Sequence, residues 1–237
     1  HMISRLKNFL LDILFPSQCL GCKKEGTFLC KPCRTMLPLL PPVCIECRQM
    51  SPADPPLTHG HTCKRCKKNT PMSVFLSPLP YRHPLVSRCI YEFKYRRIKM
   101  LAPVLADLML AYISSYRIVF PEHAFIIPIP LHPRKERVRG FNQATLLARE
   151  LSMRLSLAID EQTLIRVIAT PPQATLTAQS RRKNVQNIFS VRNTTIVRGK
   201  NIILVDDVKT TGATLEQAAR VLKKAGAKQI WAITVAR

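Results

Sequence analysis

Four C-x-x-C pairs, Cys19/Cys22, Cys30/Cys33, Cys44/Cys47 and Cys63/Cys66, crowd the chain before residue 70. Together they use eight of its nine cysteines and constrain the fold more than any other feature. A C-x-x-C pair on a tight turn aims two thiolates at one point, and two such knuckles complete a tetrahedron around zinc. A disulfide framework is the rival. It requires an oxidising compartment, for which the sequence offers no export signal, and it accounts poorly for the regular two-residue gaps. Sequential pairing puts Cys19, Cys22, Cys30 and Cys33 on one ion and Cys44, Cys47, Cys63 and Cys66 on the other; an interleaved arrangement stays open. Four thiolates close each site, so the zinc is expected to be structural, and a segment with so little core of its own folds with its metal. Lys23, Lys24, Lys31, Lys64, Arg65, Lys67 and Lys68 surround the knuckles. They offset the charge of the thiolate centres and are placed to touch phosphates. His59 and His61 read as loop residues, and "PLLPPV" and "SPADPP" as proline-rich connectors.

Before the cysteines, Ile3, Leu6, Leu10, Ile13 and Leu14 recur at helical spacing, which predicts a short amphipathic helix docked on the protein. A membrane-surface helix is the alternative, and with it peripheral membrane association. Asp12 interrupts the apolar run and no small-residue cleavage site follows, against a signal peptide. A cytoplasmic protein is expected.

Across 237 residues, 37 Lys and Arg face 14 acids, a formal charge of +23. The basic residues are scattered, which argues for a charged face on a folded body and for polyanionic partners, nucleic acid first. With 46% hydrophobic residues a true core is expected, and global disorder is excluded. Aromatics are few, so backbone charge rather than base stacking would dominate any contact with nucleic acid.

From about Met72 the pattern changes to strands alternating with helices. "MSVFLSPLPY", "AFIIPIPL", "NIILV" and "QIWAITVA" read as strands, and "PLVSRCIYEFKYR", "MLAPVLADLMLAYISS", "NQATLLARELSMRLS" and "TLEQAARVLKKA" as helices. Asn142 is an expected N-cap, Thr214 with Gln217 an expected capping box, and Gly226 a helix stop. The predicted fold is α/β: a mostly parallel sheet with helices on both faces, spanning 71–237, preceded by a small zinc-ribbon-like domain at 1–70. In such sheets ligands bind at the carboxyl ends of strands. There "NIILV" runs into the turn Asp206-Asp207-Val208-Lys209-Thr210-Thr211-Gly212-Ala213-Thr214 and then a helix. Free amides and the helix dipole favour an anion, the threonines add hydroxyls, and Gly212 permits close approach. Two carboxylates repel phosphate but accept hydrogen bonds from a diol. Phosphate beside diol describes a ribose 5-phosphate.

"ILVDDVKTTGATL" resembles the phosphoribosyl-pyrophosphate (PRPP) motif of type I phosphoribosyltransferases. With the cysteine module, "IPIPLHPRKERVRGFNQA" and "TPPQATLTAQSRRKNVQNIF", the chain resembles the ComF (ComFC) family of competence proteins over essentially its whole length. The resemblance implies a type I phosphoribosyltransferase fold and a role in natural transformation, the uptake and cytosolic handling of single-stranded DNA. By it, Asp206 and Asp207 act at the ribose hydroxyls, Thr210 to Thr214 bind the 5-phosphate, and Lys209 lies within the motif. The turn through Pro130 and Leu131, followed by Arg134, Lys135, Arg137 and Arg139, forms the pyrophosphate loop. Arg181, Arg182 and Lys183 lie on a loop that closes over the site. It further implies magnesium with PRPP, and as partners single-stranded DNA, a DNA-translocating helicase and a recombination mediator. Two readings follow: a magnesium-dependent transferase with an unidentified acceptor, or a catalytically weak scaffold that binds DNA and couples translocation to recombination. Lys94, with Tyr91, Phe93 and Tyr95, is a candidate acceptor hood, although Ile90 and Phe93 suit a core.

Overall fold

The structure, a computed structural model, describes residues 17–50, 60–167 and 188–237. The expected N-terminal helix, His59 and the closing-loop residues Arg181, Arg182 and Lys183 lie outside them. In chain order the strands are β1 (Val74–Leu76), β2 (Phe125–Pro128), β3 (Ala158–Ile159), β4 (Leu164–Arg166), β5 (Phe189–Val191), β6 (Asn201–Val208) and β7 (Gln229–Ala236). The helices are α1 (Lys31–Thr35), α2 (Pro84–Tyr95), α3 (Leu101–Ser115), α4 (Pro133–Arg139), α5 (Gln143–Leu155), α6 (Thr194–Val197) and α7 (Ala213–Lys224). Five strands form a parallel sheet in the order β1-β7-β6-β2-β3, and β4 and β5 form a separate antiparallel ribbon.

The central strands β6 and β7 are apolar along most of their length because both sheet faces are covered. Their residues alternate between the faces. Ile203, Val205, Ile233 and Val235 meet Phe93 of α2, Leu105 and Met109 of α3, and Leu147 and Leu151 of α5. Ile202, Leu204, Ile230 and Ala232 meet Leu215, Ala218, Ala219 and Leu222 of α7, with Phe189 of the ribbon. Burial on this scale, at about 25 cal/mol per Å2 of apolar surface, is the main stabilising force.

Two local expectations need correction. The turn predicted to begin at Asp206 begins later: Asp206 still pairs with Thr234 and Val208 with Ala236, so both acids belong to β6. The capping box at Thr214 and Gln217 does not form, because α7 starts at Ala213 behind Gly212, whose φ of 84° makes it the N-cap. Thr214 is therefore already helical. Asn142 caps α5 as expected: its side-chain oxygen accepts from the Ala144 amide at 3.1 Å, while its Nδ2 donates to the Ile129 carbonyl at 2.9 Å. No helix among the described residues is long and apolar enough to cross a membrane.

The cysteine-rich segment packs into the sheet domain. Leu20, Leu29 and Leu37 share one core with Val86, Ile90 and Leu105. Arg34 pairs with Asp107 of α3 at 2.6 Å, and Arg88 of α2 donates to the Leu20 carbonyl at 3.2 Å. Further along, residues 60–62 run beside β1: the Thr62 amide donates to Ser73 at 2.8 Å and the Phe75 amide to Gly60 at 2.9 Å. Gly60 takes φ 80°, and a Cβ there would stand 2.6 Å from the Phe75 carbonyl oxygen. Backbone cannot yield as a side chain can. Gly60→Ala should therefore cost about 1–3 kcal/mol of unfolding free energy, measured by urea denaturation; an unchanged midpoint would disprove the close approach.

Candidate functional site

At the carboxyl ends of β2 and β6 opens a cleft of about 580 Å3. It is lined by Asp206, Asp207, Lys209, Thr210, Gly212, Ala213 and Thr214 from β6 and the turn into α7, and by Leu131, Lys135 and Arg139 from the segment after β2. Four described residues expected at the site, Thr211, Pro130, Arg134 and Arg137, are not on its lining. Thr211 is exposed and faces the outer side of the turn, where its hydroxyl lies 3.4 Å from the Ala213 amide. Pro130 is half-buried, and Arg134 and Arg137 are exposed. Helix geometry explains Arg134. His132 caps α4, its Nδ1 accepting from the Arg134 amide at 3.2 Å. Residues four apart then share a face, so Lys135 and Arg139 reach the cleft together.

Strand parity also separates the two acids. Asp207 follows Ile203 and Val205 toward the helix α2 side, and Asp206 follows Ile202 and Leu204 toward the ribbon side. Their partners agree. The Lys94 ammonium of α2 lies 2.9 Å from Asp207 Oδ1, and both side chains are largely covered. Asp206 interacts electrostatically with Arg166 of β4. Lys94, paired with Asp207, lines the cleft together with Tyr95, while Phe93 is core and Tyr91 is exposed. Arg166 had no signal in the sequence beyond its charge, because the ribbon that carries it joins strands of three residues each.

Burial, then the Asp207 charge, pushes the Asp206 carboxyl up to about 7 against the pull of Lys94 and Arg166. Burial alone would lower the Lys94 amine, but Asp207 outweighs it and holds Lys94 above the ordinary lysine value. Lys135 is lowered by burial and by the charges of Arg166 and Arg139. Lys135, Arg139 and Arg166 share the cleft with the two acids of β6. The first-turn amides of α7 have no acceptors within the helix, and Gly212 supplies no side chain to cap them. The arrangement can hold an anionic group at the turn and hydroxyls at the acids.

An acid whose folded pKa is raised binds more protons folded than unfolded. Its contribution to stability therefore falls as pH climbs from the ordinary carboxylate range through about 7. Asp206→Asn keeps an acceptor for the Asp207 amide, which donates to Asp206 Oδ1 at 2.8 Å. The variant should gain stability over the parent as pH rises from about 5.5 to about 8, by on the order of 1–3 kcal/mol. Urea denaturation of both proteins across that range reads this out, and a constant difference would remove the buried-charge account.

The cysteines gather as two groups, Cys19, Cys22, Cys30 and Cys33, and Cys44, Cys47, Cys63 and Cys66, the ligand atoms of each lying within 4.8 Å of one another. This favours sequential pairing over interleaving. Sulfur separations of 3.6 Å for Cys19–Cys30, 3.5 Å for Cys22–Cys30 and 3.8 Å for Cys47–Cys63 exclude disulfides. They match the edge of a tetrahedron with zinc–sulfur bonds of about 2.3 Å, roughly 3.8 Å. Both groups fit a structural zinc ion, and His61, whose ring meets Trp231 edge-on, belongs to neither. The second group adjoins the site. Thr70 donates to Glu216 of α7 at 2.6 Å, and Arg220 of α7 donates to the Asn69 carbonyl at 3.2 Å. Elemental analysis should return two zincs per chain; one or none would break this assignment.

Comparison with known proteins agrees with both halves. Residues 138–237 match the model for the phosphoribosyl transferase domain, and residues 10–72 the model for the double zinc ribbon domain. The chain is 35% identical over 186 residues to the DNA utilization protein YhgH of Escherichia coli O157:H7, covering 75% of this chain and 80% of that protein. It is 30% identical over 225 residues to Competence protein F of Haemophilus influenzae, covering 91% and 89%. It is also 37% identical over 131 residues to Competence protein ComFC of Bacillus subtilis, covering 52% and 49%.

Proposed function

The chain belongs to the ComF family of competence and DNA-utilization proteins, and from that premise we propose that it handles incoming single-stranded DNA in the cytoplasm and binds PRPP, with magnesium, in the cleft at the end of β6. One observation carries the PRPP reading: a single cleft joins the two carboxylates of β6, the uncapped first turn of α7 and the cations Lys135 and Arg139. These are the three recognition elements that a 5-phosphate, a ribose diol and a pyrophosphate require.

In this reading the α7 turn takes the 5-phosphate on its amides and on the Thr210 and Thr214 hydroxyls. Asp206 and Asp207 accept hydrogen bonds from the ribose hydroxyls across the end of the strand. Lys94 keeps the added negative charge tolerable. Displacement of pyrophosphate passes through an oxocarbenium-like state, and carboxylates below the ring favour the growing positive charge. Lys135, Arg139 and Arg166 offset the charge leaving with pyrophosphate. Magnesium, bound through hard oxygen donors such as these carboxylates and the phosphates, would supply further neutralisation of the leaving group.

PRPP with magnesium should raise the thermal midpoint of the parent, and the double substitution Asp206→Asn with Asp207→Asn should abolish the shift while the protein still folds. No shift in the parent would overturn the assignment. Binding of DNA is supported by the excess of 37 basic over 14 acidic residues. If phosphates carry that contact, affinity for an oligothymidylate should fall linearly on a log–log plot against salt, with a slope of about −0.7 per phosphate engaged. A flat response would eliminate backbone binding. The family relation also leaves a scaffold role open, in which the same cleft binds PRPP without turnover; product formation from PRPP over candidate acceptors separates the two.

A further inference from the structure

Beyond the Lys209–Thr211 turn, on the side away from the carboxylate pair, lies a second cleft of about 670 Å3. One wall is the Cys44–Cys47 turn of the second cysteine group, through Cys44, Ile45 and Arg48, and the other runs from Phe75 of β1 and Arg237 after β7 to Arg82 in the turn before α2. Lys209 and Thr210 line both clefts and separate them. Four cations, Arg48, Arg82, Lys209 and Arg237, face this second space, and no Asp or Glu side chain lines it. Among the described residues none of the four forms an ion pair. Elsewhere Arg34, Arg149, Arg154 and Arg220 all find acids. Glu46, the acid that acts on Lys209, lines the neighbouring groove instead.

The cations are held by scaffolding and not by counter-ions. Arg48 sits in the knuckle turn with φ 59°, its amide donating to the Cys44 carbonyl at 3.0 Å. Arg237 donates from its guanidinium to the Pro41 carbonyl at 2.9 Å, while its backbone carbonyl accepts from the Tyr81 amide at 2.8 Å. Lys209 lies over the Phe75 ring, 5.5 Å from its centre. Like charges so arranged repel one another. Burial and Arg48 hold the Lys209 amine below the ordinary lysine value, and burial lowers Arg237, with Arg48 adding to the effect against Tyr112. A walled space with four convergent basic side chains and no acidic one favours an anion. Guanidinium groups present paired N–H donors to phosphate oxygens, and the volume suits a small molecule.

We infer that this cleft is a second phosphate-binding site, which takes a phosphomonoester ligand of mononucleotide size between the cysteine knuckle and the Lys209–Thr211 turn. It shares the Lys209–Thr210 turn with the PRPP reading but does not depend on it. Tyr81, 40% exposed, borders both clefts and offers the ligand an aromatic face.

The test uses the zinc-loaded full chain, with 5′-AMP, adenosine and a dephosphorylated oligothymidylate as probes in calorimetry. Arg48→Gly removes a charge at a positive φ that glycine adopts freely, and Arg82→Ala removes a second. The parent should bind AMP and not adenosine. The double variant should bind AMP about tenfold or more weakly, as expected for losing a charged hydrogen bond. AMP binding should survive Asp206→Asn with Asp207→Asn, which places the ligand outside the carboxylate cleft. Equal AMP affinity in parent and double variant, loss of AMP binding in the Asp206/Asp207 variant, or binding of the oligothymidylate alone would each overturn the proposal. Absence of a PRPP shift together with Arg48- and Arg82-dependent AMP binding would sink only the PRPP assignment.

Discussion

Pairing between β6 and β7 persists past the point where the chain turns acidic, and the site follows from that persistence. Asp206 and Val208 are still in register with Thr234 and Ala236, and the Lys209 amide donates to the Ala236 carbonyl at 2.9 Å. Without that ladder the acids would sit in a mobile turn, with no fixed faces. With it, the pleat assigns each acid a side, the ladder ends at the rim of the sheet, and Gly212 turns the backbone directly into α7. The spatial relation of the two carboxylates to the turn into α7 is set by backbone hydrogen bonds, which are the least adjustable part of a protein.

The cysteine-rich segment is a second constraint. A chain of its length buries little by itself, and metal coordination substitutes for core. Here the first group merges with the layer formed by α2 and α3, while the second lies against β1 and the opening of α7. Ions bound at the two groups would therefore brace different parts of one body. Gly60 beside Phe75 and Arg34 on Asp107 are where that bracing is tightest.

Much of this was legible in the sequence. The grouping of the cysteines, the helices α2, α3, α5 and α7, the cap at Asn142 and the strand–turn–helix motif all rest on local chemistry: spacing, periodicity and hydrogen-bonding side chains. What stayed hidden depends on tertiary pairing. Asp206 and Asp207 look like turn residues, because no local signal says that β7 extends far enough to keep them in the sheet. Thr214 and Gln217 match a capping box by composition, yet Gly212 in the left-handed region starts the helix earlier. Lys94 gives no local sign that it pairs with Asp207, which only the orientation of the α2 face reveals. Arg166 rides on a ribbon whose two strands are separated by more than twenty residues, and its place at the cleft is a matter of topology alone.

Because the pleat directs Asp207 to one layer and Asp206 to the other, the two carboxylates have separate custodians. Asp207 answers to α2 through Lys94, and Asp206 to the ribbon that bears Arg166. Drift in either layer would detune one acid and spare its neighbour. Damage to this centre need not be all-or-none: one carboxylate can lose its neutralising partner, in either of two distinguishable ways, while the strand that carries both acids stays where it is.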